Sequence, residues 1–178
     1  MKTLIAIWVP VMLLAGCAAT NALVHMKPDY TELPAAELRT LATAIETIVA
    51  SGEESFTLDA TPGIQADTPA IQQAIRTRAI RYPLVSEFLD SGFANEQSNG
   101  LMAVRRSGGY KKATSSQQRD REALIVMSEN NNRWAIYEGL LEANNWPPRS
   151  LSAIQAIFFE ARVPLMKAGQ SHDALPGS

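Results

Sequence analysis

The chain has 178 residues, a formal net charge of −2 and 46% hydrophobic residues, a profile that suits one globular domain and argues against a disordered tail or a multidomain enzyme. No basic face, and no aromatic residues interleaved with Lys and Arg, can be read, so nucleic acid is not an expected partner. A single cysteine excludes an intrachain disulfide.

The first stretch, MKTLIAIWVPVMLLAGC, has a basic Lys2, an apolar run from Leu4 to Leu14 and small residues before Cys17, the pattern of a secretory signal. The run is too short to span a bilayer permanently, and Pro10 weakens it further in that role. Its ending, LLAGC, resembles the lipobox of bacterial lipoproteins, in which small residues such as Ala15 and Gly16 expose the bond before the cysteine. That resemblance implies cleavage after Gly16 and acylation of Cys17, whose two or three chains would anchor the protein stably. A plain signal peptide that contains a cysteine is the alternative. Ala18, where an aspartate would mark the inner membrane, resembles the outer-membrane sorting pattern, with the protein on its periplasmic face. Residues 1–16 thus read as a cleaved leader and 17–33, with Pro28 and no sustained period, as a tether.

Residues 34–168 read as one helical domain. Pro34 opens a helix carrying Leu38, Leu41, Ile45, Ile48 and Val49 at helical spacing, ended by Gly52. Pro62-Gly63 marks a turn. Thr68 and Pro69 start a second helix with Ile71, Ala74, Ile75, Arg78 and Ala79 in one stripe, kinked or restarted at Pro83 and closed at Gly92. Arg76, Arg78 and Arg81 give it a positive face, expected to be solvated. A long polar connector, Asp90 to Lys112, leads to a helix from Ser115 or Ser116 to about Asn144. Its projected core side is Ala123, Val126, Met127, Trp134, Tyr137 and Leu141, with Ile125, Ile136 and Leu140 on a second side. The asparagines at 130–132 conflict locally with a helix; Asn130 projects into the apolar side, where bonding to the connector would resolve the conflict, and a break at Asn131 is the alternative. Pro147 and Pro148 end this helix, and Ser150 caps a last one with Leu151, Ile154, Ile157, Phe158 and Ala161, stopped or kinked at Pro164. Residues 169–178 read as a flexible tail. The fold class is mostly α, a small bundle of about four to five helices with a long polar, glycine-containing connector.

Familiar chemistry is missing from the pattern. His25 and His172 sit in the expected tether and tail without Cys, Asp or Glu at ligand spacing, so no metal and no cofactor are expected. There is no G-x-S-x-G, H-E-x-x-H or C-x-x-C, and SGGYKKATSS lacks the spacing of a phosphate loop. Glu87, Glu96, Glu129 and Glu138 are scattered carboxylates that sequence cannot pair.

Two stretches, AIRTRAIRYPLVSEFLDSGFANEQSNGLMAVR and ENNNRWAIYEGLLEAN, resemble the YdbL-like family of small bacterial envelope proteins over roughly Ile71 to Gly169. Its pattern is a G-x-x-G-E-x-x-x-G-like loop followed by E-N-x-x-R-x-x-x-Y on a long helix. Gly92, Glu96, Asn99 and Gly100 stand in the loop here, and Glu129, Asn130, Arg133 and Tyr137 on the helix. Asn95 replaces the second loop glycine, and the Pro-Gly-Trp-like ending of members is missing after Lys167. The family has no established catalytic residues; relatives encoded beside a small lipoprotein and an AsmA-like protein of phospholipid traffic imply an accessory or chaperone-like role. The expected function is therefore that of a non-enzymatic, lipid-anchored accessory or assembly factor bound to the membrane through acylated Cys17 and to another envelope protein. Alternatives are a lipid or small-molecule binding module, with Ile125, Ile136 and Leu140 as a groove wall, and a peptidoglycan-acting enzyme using Glu96 or Glu129. The connector is expected to lie on the long helix as a structural signature, with Glu96 and Asn99 bonded to backbone or to Asn130 and Arg133; a ligand or partner surface built on these motif residues is the alternative.

Overall fold

The structure, a computed structural model, describes residues 33–175. The leader, Cys17 and nearly all of the tether lie outside the described residues. Five helices and a small sheet follow in the order α1 (Ala35–Ser51), α2 (Pro69–Asp90), β1 (Ala94–Glu96), β2 (Met102–Val104), α3 (Gly108–Ala113), α4 (Ser116–Ala143), α5 (Leu151–Arg162) and β3 (Ser171–His172). The mostly helical class expected from periodicity is the class observed. Thr68 caps α2 by accepting from the Ile71 N–H, and Ser115 caps α4 by accepting from Gln118, each meeting a backbone donor that the first helical turn leaves unpaired. α2 runs unbroken through Pro83, which is exposed. α4 runs unbroken through its asparagines.

α2 packs on α4, and α1 packs on both α5 and α2. The main apolar cluster joins α1, the first half of α2, the second half of α4, and α5, with Leu38, Ile45, Ile71, Ile75, Ile136, Leu140 and Phe158 at its centre. A smaller cluster, Val85, Phe88, Leu89, Ala94, Met102 and Tyr110, joins the end of α2 to the hairpin and α3.

Several expectations are corrected. The core side of α4 is Ile136, Tyr137 and Leu140, together with Glu122, Glu129 and Arg133, while Met127 is 59% exposed and Ala123 is exposed. A projection of apolar residues alone misplaces the face because charged side chains occupy core positions. Ile136 and Leu140 are fully buried, so they form no groove wall. Arg78, expected to be solvated, is also fully buried. Ser150 makes no side-chain cap; a 3-10 turn, Pro148–Ser150, leads into α5 instead. Leu33, assigned to the tether, belongs to the main cluster. The tail assigned as flexible is ordered at its start: β3 pairs parallel with β1, Asn95 opposite Ser171 and Glu96 opposite His172.

The connector is largely structured. β1 and β2 form an antiparallel hairpin with Glu96 opposite Met102, and Ser107 caps α3. β1 is the middle strand of the three. On the outer side of β2, Asn130 of α4 accepts from the Met102 N–H and donates to the Met102 carbonyl, both at 2.9 Å. An edge strand otherwise presents unpaired donors and acceptors, and this side chain satisfies one residue's pair. Asn130 therefore bonds the connector, as its place on the apolar side predicted.

Candidate functional site

Between the two apolar clusters lies a closed ring of alternating charge. On α2, Arg78 comes between Ile75 of the main cluster and Val85 of the smaller one; on α4, Glu129 and Arg133 come between Ile125 and Ile136. Arg78 donates to Glu46 of α1 through both terminal nitrogens, at 3.0 and 2.8 Å, and through Nε to Glu129 at 2.8 Å. Arg133 donates from Nε to the same Glu129 oxygen at 2.9 Å and grips Glu96 of β1 at 2.7 and 2.8 Å. Arg162, the last residue of α5, bonds Glu96 at 2.9 Å and Glu46 at 3.0 and 3.2 Å, closing the circle. Within the ring each carboxylate accepts hydrogen bonds from two guanidiniums, and each guanidinium donates to two carboxylates.

The Gly100 carbonyl extends the ring. It accepts from Tyr137 Oη at 2.9 Å and Arg133 at 3.3 Å, and Tyr137 Oη also accepts from Arg162 at 3.2 Å. Gly100 has φ +78°, and a Cβ there would lie 2.8 Å from the Gln155 carbonyl oxygen and 3.1 Å from Tyr137 Oη. Only a residue with no side chain brings this turn so close to α4 and α5. Asn99 closes the same turn by accepting from the Leu101 N–H at 3.0 Å.

All six ring side chains are nearly or fully buried. Burial pushes the Glu129 carboxyl up, but Arg78 and Arg133 outweigh it and hold the group down to about 2. Burial likewise opposes ionisation of Glu46 and Glu96, and their paired arginines again prevail, holding both below the ordinary carboxylate range. The second Glu129 oxygen faces Arg81 at 3.5 Å. A cavity of about 20 Å³, bordered by all six ring residues, has room for one water molecule and for no larger ligand. A general acid at neutral pH needs a raised pKa and access to substrate; Glu96 and Glu129 have neither here.

Among the residues singled out in the sequence, Glu96, Gly100, Glu129, Arg133 and Tyr137 meet in this assembly. Asn130 stands beside it on β2, Asn99 serves the turn, and Gly92 ends the α2 region, away from the ring. Sequence reading missed Glu46 and Arg162 and misassigned Arg78. The available signal was a charge within an apolar stripe, such as Glu46 after Ala42 and Ile45 and before Val49. Asn95 lies in β1, donates to Asp173 at 2.8 Å and accepts from Ser171 at 2.8 Å, while Asp173 accepts from the Ser98 N–H at 2.9 Å. The substituted loop position thus fastens the C-terminal strand.

The second feature is open to solvent. A groove of about 570 Å³ runs between the end of α2 and the start of α4, with Leu84, Phe88 and Ile125 on its floor and Glu87 and Arg121 at its rim. Among the described residues, no group of three or more His, Cys, Asp or Glu side chains is placed to hold a metal, and no helix is long and apolar enough to cross a membrane. The chain matches no protein-family model, no curated protein and no solved structure.

Proposed function

We propose that this chain is a YdbL-like, lipid-anchored envelope protein acting as a non-enzymatic accessory or assembly factor, and that it docks another envelope protein along the α2–α4 groove. One observation carries the docking reading: the four large apolar side chains exposed among the described residues, Ile80, Leu84, Leu124 and Met127, all lie on α2 and α4. Leu84 and Leu124 line adjoining parts of the groove, with Ile80 and Met127 about one turn away along each helix. A row of this kind is what an amphipathic partner segment covers. The anchor rests on the LLAGC sequence and Cys17.

The volume of the groove favours a second reading, a small-molecule or lipid site, because pockets of this size hold such ligands. Co-purification of the native protein from membranes in mild detergent, with mass spectrometry of eluted proteins and lipids, separates the two. A stoichiometric protein that is lost from Leu84→Asp and Leu124→Asp variants supports docking. A specific lipid eluting without protein refutes docking in favour of the second reading.

A further inference from the structure

The densest run of positive charge in the sequence lies around α3 and forms a basic end there, which the average composition conceals. Residues 105–121 hold six of the sixteen Lys and Arg, namely Arg105, Arg106, Lys111, Lys112, Arg119 and Arg121, and a single acidic residue, Asp120. The expectation that no basic face can be read is corrected by this cluster, which a net charge of −2 over the whole chain conceals. All six are exposed or half-exposed, and no ion pair with a described carboxylate engages them. Arg119 turns back to the Thr114 carbonyl at the end of α3, and Arg105 to the Gly92 carbonyl at 3.3 Å. Arg105 and Arg106 directly precede Ser107, which caps α3 by accepting from the Tyr110 N–H, and the bond from Arg119 to Thr114 ties the start of α4 to the other end of the same helix.

The residues between the cations matter equally. Ser107, Gly108, Gly109 and Ala113 are exposed and small, whereas Tyr110 and Thr114 point inward and are buried. Apart from Lys111 and Lys112, α3 therefore exposes no bulky side chain that would hold a flat surface away from the charges. The one aromatic ring of the stretch is in the core, where no base can stack on it. A flat array of negative charge fits this end better than a single-stranded nucleic acid does.

We propose that the α3 end is a docking surface for anionic phospholipid headgroups at a bilayer surface. It orients a lipid-anchored domain with α3 toward the membrane, and in that respect it rests on the envelope reading above. Arg121 belongs both to the basic end and to the rim of the α2–α4 groove, so a protein seated in the groove is held beside the membrane. A second weak contact of this kind adds to an acyl anchor because each cation near an anionic leaflet contributes about 1 kcal/mol, roughly fivefold in affinity.

The test uses the full chain with Cys17→Ser, which removes the acylation site, sedimented with vesicles of phosphatidylglycerol and phosphatidylethanolamine or of phosphatidylcholine alone. The ratio between the two cancels the apolar contribution of the N-terminal residues. Preference for the anionic vesicles should be at least about tenfold at low salt, should fall as salt screens it, and should drop at least about tenfold with Arg105→Gln, Arg106→Gln, Lys111→Gln and Lys112→Gln combined. These four side chains carry no ion pair to a described carboxylate, and the bond from Arg105 to the Gly92 carbonyl is exposed and 3.3 Å long, so the melting temperature of the variant should change little. Equal binding to both vesicle types, an unchanged preference in the folded variant, or binding to an acidic protein or nucleic acid without binding to anionic vesicles overturns the proposal. The Leu84→Asp variant distinguishes the two readings: it should lose the protein partner and keep the vesicle preference.

Discussion

Glu96→Gln tests the ring at its most central carboxylate. Glu96 is fully buried and accepts from Arg133 at 2.7 and 2.8 Å and from Arg162 at 2.9 Å. Glutamine keeps the shape but turns an NH₂ toward guanidinium donors, and it leaves three buried arginines facing two carboxylates. Removing one partner from a buried ion pair costs about 3–5 kcal/mol, because the remaining charge stays desolvated. With a urea dependence of about 2 kcal/mol per molar, the midpoint at pH 7, followed by circular dichroism, should fall by roughly 1.5–2.5 M. The double variant Glu96→Met/Arg133→Met leaves Arg162, Glu46, Arg78 and Glu129 in balance. It should cost about 1–3 kcal/mol less than the sum of its single variants. A loss under about 1 kcal/mol for Glu96→Gln, or strict additivity in the double variant, refutes the closed ring.

Acid should act on the same assembly. The ring carboxylates have folded pKa values below their unfolded ones, so their contribution is present above about pH 4.5 and is lost as pH falls; for Glu129, held down to about 2, the loss is about 3 kcal/mol by pH 2, and a urea midpoint that stays flat between pH 5 and 2 contradicts it. Tyr110 moves the other way: burial and then its bond to Glu122 raise its phenol to about 12, so this contribution is present below the unfolded value near 10 and is lost as pH rises through 12. Glu122→Gln should bring the Tyr110 titration, followed by ultraviolet absorbance, to lower pH. Gly100→Ala combines a left-handed backbone with a clash against Gln155 and should cost about 2–5 kcal/mol, whereas Gly92→Ala, with φ +72° and open space around it, should cost about 1–2 kcal/mol in thermal melts. Asn130→Ala removes both side-chain hydrogen bonds to the buried Met102 backbone and should cost about 2–3 kcal/mol, with faster hydrogen exchange at the Met102 amide.

The helices were legible because apolar spacing, Thr68, Pro69 and Ser115 all point to the same boundaries. Asn130 was legible for a related reason: a residue unfavourable in a helix, projecting inward, needs a partner. Local pattern stops at the ring. Glu46, Glu96 and Arg162 are far apart in the chain and meet only when α1, β1 and α5 pack, so no short-range period links them. The face of α4 was misread because only apolar residues were projected, while Glu129 and Arg133 hold core positions. β3 was illegible for the simplest reason: two residues, Ser171 and His172, carry no strand signal and are ordered by Asn95 and Glu96 across a long sequence separation.

A ring of this kind is a poor device for stability alone, since well-packed apolar residues in its place often serve as well or better. Its geometry does something that apolar packing does not. Arg78, Arg133 and Arg162 each fit two carboxylates at hydrogen-bond distance, and the directional guanidinium fork tolerates little sliding. Moving α1, α2, α4, α5 or β1 by one residue along its axis would break at least two of these contacts at once. Leucines in the same places would accept several registers. The ring therefore fixes one mutual arrangement of helices and hairpin, with α2 and α4 held as a pair. That pair carries the exposed Leu84 and Leu124, and the loop ending in α3 is tied to it through β2 and Asn130. The ring itself is buried, and its consequence is at the surface, where the groove and the basic end keep a constant relation to each other.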